Sequence, residues 1–186
     1  MQTSTKFHTH FMTISGVSKK LLFLSLTILL FTACSNNRYT QNSKEIDIIK
    51  AVLNDYDYQN WDTLVMRYAD SAKIFHNTRT TILTPGDLPH YYQNNDVSFT
   101  TRAFEDENRE YEMVTDDQGQ RWVNFWGLWK GNLTINNKEL VIPVHITAKF
   151  IDGKIVREYG YWDRSILIQE LQNALETNAL KDSITN

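Results

Sequence analysis

Apolar positions change their period twice along the chain, and the changes divide it. Residues 21–33 form an apolar run behind Lys19 and Lys20. Residues 45–59 repeat at helical spacing through Ile49, Val52, Leu53 and Tyr56, with Ser43 or Lys44 near the start. Asp62 is placed to cap a second short helix with a stripe of Leu64, Val65 and Tyr68, ended by Ala69-Asp70-Ser71. A short strand over residues 72–77 and a short helix over residues 88–93 follow, the latter after the turn Thr84-Pro85-Gly86-Asp87.

From Val97 the pattern becomes β-rich. A strand is expected over residues 97–104. Residues 110–115, 122–132, 139–151 and 154–162 are then separated by the turn clusters Asp116-Asp117-Gln118-Gly119, Asn136-Asn137-Lys138 and Asp152-Gly153. Such spacing predicts hairpins and an antiparallel meander. Pro143 marks an edge or a bulge, and Gly127 a bulge or bend. A last helix carries Ile166, Leu167, Leu171, Ala174 and Leu175. The fold class is α+β, with helices covering one face of a sheet.

The first apolar run is 13 residues long. As a helix it rises about 20 Å, short of a hydrocarbon core of about 30 Å, so it reads as an export signal. It ends in Phe31-Thr32-Ala33-Cys34, which resembles a bacterial lipobox although Phe31 stands where an aliphatic residue is usual. Met12 offers a second start giving a signal of more ordinary length. The expected organisation is a signal peptide over 1–33, lipidated Cys34 with a flexible tether through residue 44, a domain over 45–180 and a tail over 181–186. Cys34 is the only cysteine, so no internal disulfide forms. The expected location is the bacterial cell envelope, lipid-anchored to a membrane. Loss of Lys6, Lys19 and Lys20 takes the net charge from −3 to −6. With no basic patch, nucleic acid is not an expected partner.

Two stretches carry a resemblance. One is Asn60-Trp61-Asp62-Thr63-Leu64 through Tyr68-Ala69-Asp70-Ser71-Ala72-Lys73-Ile74-Phe75-His76; the other runs from Lys149 through Asp152-Gly153-Lys154 to Glu158-Tyr159-Gly160-Tyr161-Trp162-Asp163. They resemble the nuclear transport factor 2-like (NTF2-like) superfamily in its SnoaL-like branch. The resemblance implies a cone-shaped α+β roll with a pocket between sheet and helices, and a homodimer through the sheet's outer face. It does not name a function, because the fold hosts isomerases, hydrolases, cyclases, dehydratases and binding modules.

By resemblance, His76 sits where the ketosteroid isomerase-like branch carries its general base. An imidazole there either moves a proton or hydrogen-bonds within the wall. Strand parity puts Glu158, Gly160 and Trp162 on one face, and Trp122, Asn124 and Trp126 on one face; by resemblance both look into the cone. Glu158 is then a buried acid, a partner of Arg121, or a half-solvated residue at the rim. The tyrosine of an isomerase oxyanion hole falls at Val52, with Tyr56 one turn away. An epoxide hydrolase of the Asp-Arg-Asp type is excluded, because Gly160, Asn124 and Trp122 fall at its positions. The ligand-binding set is Tyr56, His76, Trp122, Asn124, Trp126, Glu158 and Trp162, with His76 and Glu158 as catalytic candidates. Asp163 reads as the family's terminal acid or as the cap of the last helix. His145 has no settled parity, His90 falls on a lid, and Trp129 opposes Trp126 and suits an outer interface. The histidines after cleavage (76, 90 and 145) lack paired ligand spacing, so no metal and no cofactor is expected.

Three functions compete. The first is a lipid-anchored protein binding a small apolar or aromatic ligand. The second is an isomerase, cyclase or dehydratase using His76, with Glu158 or Tyr56 steadying charge. The third is an interaction module whose cone is filled by its own side chains.

Overall fold

The computed structural model describes residues 38–185; the expected export segment and Cys34 lie outside the described residues. The first described residues do not form a tether. Tyr39–Thr40 (β1) pairs with Val114 and Met113, and Ser43 Oγ accepts the Ile46 amide at the head of the first helix. The fold therefore begins before residue 45. It also runs past 180, since the last helix continues to Thr185.

Helix α1 (Lys44–Asp57) buries Ile46, Ile49, Val52, Leu53 and Tyr56, one stripe at helical spacing. Glu45 and Asp47 in its first turn complement the helix dipole. Helix α2 (Trp61–Val65) follows Asn60, so Asp62 lies inside the helix and does not cap it. Residues expected to end α2 instead open strand β2 (Tyr68–His76). A register irregularity between Tyr68 and Lys73 exposes Asp70 and Ser71 and breaks the alternation, which hides the strand's start. A 3-10 turn (Pro85–Asp87) leads into helix α3 (Leu88–Asp96).

Strands β3 (Phe99–Phe104), β4 (Glu110–Thr115), β5 (Arg121–Leu133), β6 (Glu139–Ile151) and β7 (Lys154–Trp162) complete a seven-stranded sheet. Its order is β1-β4-β5-β6-β7-β2, with β3 also pairing β5. All pairs are antiparallel except β2 with β7. Asp152 and Gly153, both left-handed, close the two-residue β6–β7 turn.

One face of the sheet buries Val123, Phe125, Trp129, Val144, Ile146 and Glu158 beneath the helices. Gly127 makes no bulge, because β5 and β6 stay in register through it. It is glycine because the Phe125 ring lies against it, where a Cβ would collide. Pro143 makes no bulge either. It lies one residue past the end of the β6–β7 ladder, a local edge where no amide is needed from that side. Helix α4 (Ser165–Thr185) packs through Leu167 and Ala174, with Leu171 against Leu133 and Leu140. Ile166 and Leu175 of the expected stripe are exposed. Among the described residues no helix is long and apolar enough to cross a membrane.

Candidate functional site

The site forms where the ends of β2 and β7 lie side by side. Parallel pairing sets Ile74 opposite Glu158 and His76 opposite Gly160. Beyond His76 the chain is clamped. Asn77 takes a left-handed conformation, its amide donates to the Gly160 carbonyl at 2.8 Å, and its Oδ1 accepts the Trp162 amide at 2.9 Å. A Cβ on residue 160 would stand 2.9 Å from His76 Cδ2 and 2.7 Å from a Trp162 ring carbon, so glycine lets the imidazole lie flat over β7.

His76 is 7% exposed and Glu158 1%. His76 Nε2 is 2.9 Å from Glu158 Oε1, and the Tyr68 hydroxyl donates to Glu158 Oε2 at 2.6 Å. A carboxylate only accepts, so the neutral imidazole tautomer that bonds to it carries its proton on Nε2 and leaves Nδ1 as an acceptor. Nδ1 is buried and has no partner among the described residues. A buried polar atom left unpaired costs about 1–3 kcal/mol. The rings of Tyr91, Tyr92 and Trp162 surround the imidazole at 5.1, 5.9 and 5.1 Å between centroids. Burial and the neighbouring Glu158 push the Tyr68 and Tyr92 phenols well above their usual range, so both stay protonated donors.

A second polar group lies across the same cavity. Trp129 Nε1 donates to the Tyr56 hydroxyl at 2.9 Å, and that hydroxyl donates to Asp96 Oδ1 at 3.0 Å. Arg102 Nε lies 2.5 Å from Asp96 Oδ2, with its guanidinium 4.1 Å above the Tyr56 ring. Burial raises the Asp96 carboxyl against the opposing pull of Arg102. The Tyr56 proton is thus committed to Asp96. The cavity between the two groups has a volume of about 100 Å³. The rest of its lining is mostly apolar, including Val52, Phe99, Phe104 and Ile142, with Asn95 and Arg164 as polar members.

At the sequence level the chain matches no family profile and no curated relative. Its fold is matched by solved structures. A SnoaL-like polyketide cyclase from Agrobacterium tumefaciens superposes with a TM-score of 0.52 at 18% identity, over 70% of this chain and 99% of that one. IdmH from Streptomyces antibioticus gives 0.56 at 14%, over 70% and 99%. AclR from Streptomyces galilaeus gives 0.56 at 10%, over 69% and 96%. This chain has the NTF2-like fold, in the form shared with SnoaL-like polyketide cyclases. At these identities the likeness establishes the fold, and the roles of side chains in this NTF2-like cone rest on their own geometry.

That geometry gathers Tyr56, His76, Glu158 and Trp162 around the cavity. It removes Trp122, Asn124 and Trp126. The inward residues of β5 are the odd-numbered ones, so these three stand on the outer face. Trp122 donates to Asp116 Oδ2 at 3.1 Å, Asn124 to Glu112 Oε1 at 3.0 Å, and Trp126 is 39% exposed, stacked on His145. Trp129, expected outside, is 8% exposed and lines the cavity. Arg121 pairs with Glu45 and does not reach Glu158. At the levels assigned to an epoxide hydrolase's charged residues, β5 presents Val123 and Phe125 inward. His145 faces outward, with Nδ1 3.0 Å from the Phe125 carbonyl oxygen. His90 is exposed against Asn94, while its neighbours Tyr91 and Tyr92 reach the site. Asp163 caps α4, accepting the Ser165 amide at 2.8 Å. Among the described residues no group of three or more His, Cys, Asp or Glu is placed to hold a metal.

The sequence reading missed Tyr68, Tyr91, Tyr92, Asp96 and Arg164. Tyr68 shares even parity with Ile74 and His76, but the irregularity before Lys73 hides that it belongs to the same strand.

Proposed function

We propose that this is a lipid-anchored envelope protein whose cone holds a small, largely apolar molecule and moves a proton on it through His76. The observation that carries the reading is the orphaned Nδ1 of a histidine otherwise fixed on every side. Glu158 and Tyr68 set the ring's tautomer and orientation, and a ligand that offers a proton to Nδ1 relieves an unpaired buried atom. Glu158 is a positioning residue here and His76 the base.

Cavity size supports a modest ligand. Sites for drug-sized molecules enclose about 300–1,000 Å³, whereas benzene fits an engineered cavity of about 150 Å³. A cavity of about 100 Å³ is smaller still, so it takes at most a single ring or a short unsaturated chain, with the rest of the molecule at the open mouth. The reaction class is proton abstraction next to a carbonyl, as in an isomerase, cyclase or dehydratase.

The test is hydrogen–deuterium exchange at the acidic methylene of phenylacetone in D₂O, followed by NMR. The protein should accelerate exchange beyond buffer, and His76→Ala should remove about 10²–10⁴-fold of that acceleration while near-UV circular dichroism stays native. No acceleration, or acceleration unchanged in His76→Ala, contradicts the reading.

The anchor is supported by the lipobox-like run at Phe31-Thr32-Ala33-Cys34. Attachment is tested by the mass of the mature N-terminus expressed in a bacterial host. Acyl chains on Cys34, lost in Cys34→Ser, are expected; an unmodified thiol at residue 34 contradicts the anchor.

A further inference from the structure

The acidic and basic side chains lining the cavity are His76, Asp96, Glu158 and Arg164. Three of them are engaged inside the protein. Glu158 is held by His76 and Tyr68, and Asp96 by Arg102 and Tyr56. Arg164 differs. It precedes α4, lies exposed at the cavity's edge, and has no described carboxylate within ion-pair distance of its guanidinium. The adjacent Asp163 is occupied by the Ser165 amide and hydroxyl. The field of Arg164 reaches Tyr91, where it favours the ionised phenol against burial. Tyr91 in turn lies 5.1 Å from the His76 ring between centroids. The uncommitted cation thus lines the same cavity as the uncommitted imidazole nitrogen, with Tyr91 near both.

We propose that Arg164 is the ligand's anion anchor, and that the natural ligand is a small aromatic or unsaturated carboxylate with its charged end at the mouth. Guanidinium matches carboxylate in a two-pronged geometry. The walls are rich in rings, Tyr56 meeting Phe104 and Tyr92 and Phe99 meeting Trp129 at T-shaped angles, and so offer aromatic surface to a flat body. The anionic end stays wet beside Arg164, while the end that gives up a proton enters the apolar part where His76 is backed by Glu158. The assignment rests on the cavity reading above and adds to it the polarity and class of the ligand.

The experiment compares phenylacetate with its neutral isostere phenylacetamide, titrated against the full-length chain in detergent by calorimetry and by quenching of tryptophan fluorescence. The carboxylate should bind about tenfold tighter, the scale of a charge-assisted contact weakened by solvent at the mouth. Arg164→Gln should bring the two affinities together by weakening phenylacetate alone, and the side chain's exposure leaves folding undisturbed. Equal binding of both probes to the unaltered protein, or a preference that survives Arg164→Gln, overturns the anchor while leaving the cavity reading intact. Binding of neither probe overturns the anchor and the cavity reading together.

Discussion

At the scale of single residues, the site is defined by how completely its polar groups are spoken for. Tyr68, Glu158 and His76 form a chain with one open end. Tyr56, Trp129, Asp96 and Arg102 form a group whose hydrogen bonds and ion pair all stay within the protein. Burial pushes the Tyr56, Tyr68 and Tyr92 phenols above their usual range, with Asp96 adding to the effect at Tyr56 and Glu158 at the other two. These folded values exceed the unfolded value of about 10, so the native state keeps protons that the unfolded chain releases. Their contribution to stability is fully present below that pH and is lost as pH rises above it. An alkaline titration followed by phenolate absorbance should therefore show that part of the nine tyrosines ionises only together with unfolding. Reversible ionisation of all of them while circular dichroism stays native contradicts the burial.

At the scale of elements, the sequence disclosed most strands and helices and misjudged one face. Strands β4, β6 and β7 fall on the residues read from alternation and turn chemistry. The error in β5 has a physical cause. Its two faces both carry large rings, Phe125 and Trp129 inward, Trp122 and Trp126 outward. Apolar alternation therefore could not separate them. Two signals were available. Asn124, Lys130 and Asn132 all fall on the outer face. Glycine also sits two residues from an inward ring at Phe125–Gly127, at Trp129–Gly131 and, in β7, at Gly160–Trp162. In each pair the ring folds over the glycine on the same face of the sheet, so the glycines mark the inward side and not bulges. For β2 the signal was blurred by the irregularity between Tyr68 and Lys73, which cost the reading Tyr68. Asp96 and Arg164 carry no local pattern at all. They gain meaning only when the ends of α3 and β7 meet at one cavity.

At the scale of the whole molecule, a seven-stranded sheet and its covering helices leave one small apolar cavity with two differently treated polar walls. One wall pairs its charges within the protein, Asp96 with Arg102 and with the Tyr56 hydroxyl, and serves as structure. The other holds an imidazole whose proton is drawn to one nitrogen so that the second stays bare. The proposed proton-transfer role rests on that asymmetry. The direct measurement is the pair of ¹⁵N chemical shifts of the His76 ring, read from two-bond couplings in the native protein at neutral pH and assigned with His76→Gln. The expected result is a protonated Nε2 bonded to Glu158 and an unprotonated Nδ1, with the Nδ1 resonance moving when phenylacetone is added. A proton on Nδ1 in the native state, or an Nδ1 resonance that no cavity-sized ligand moves, contradicts it.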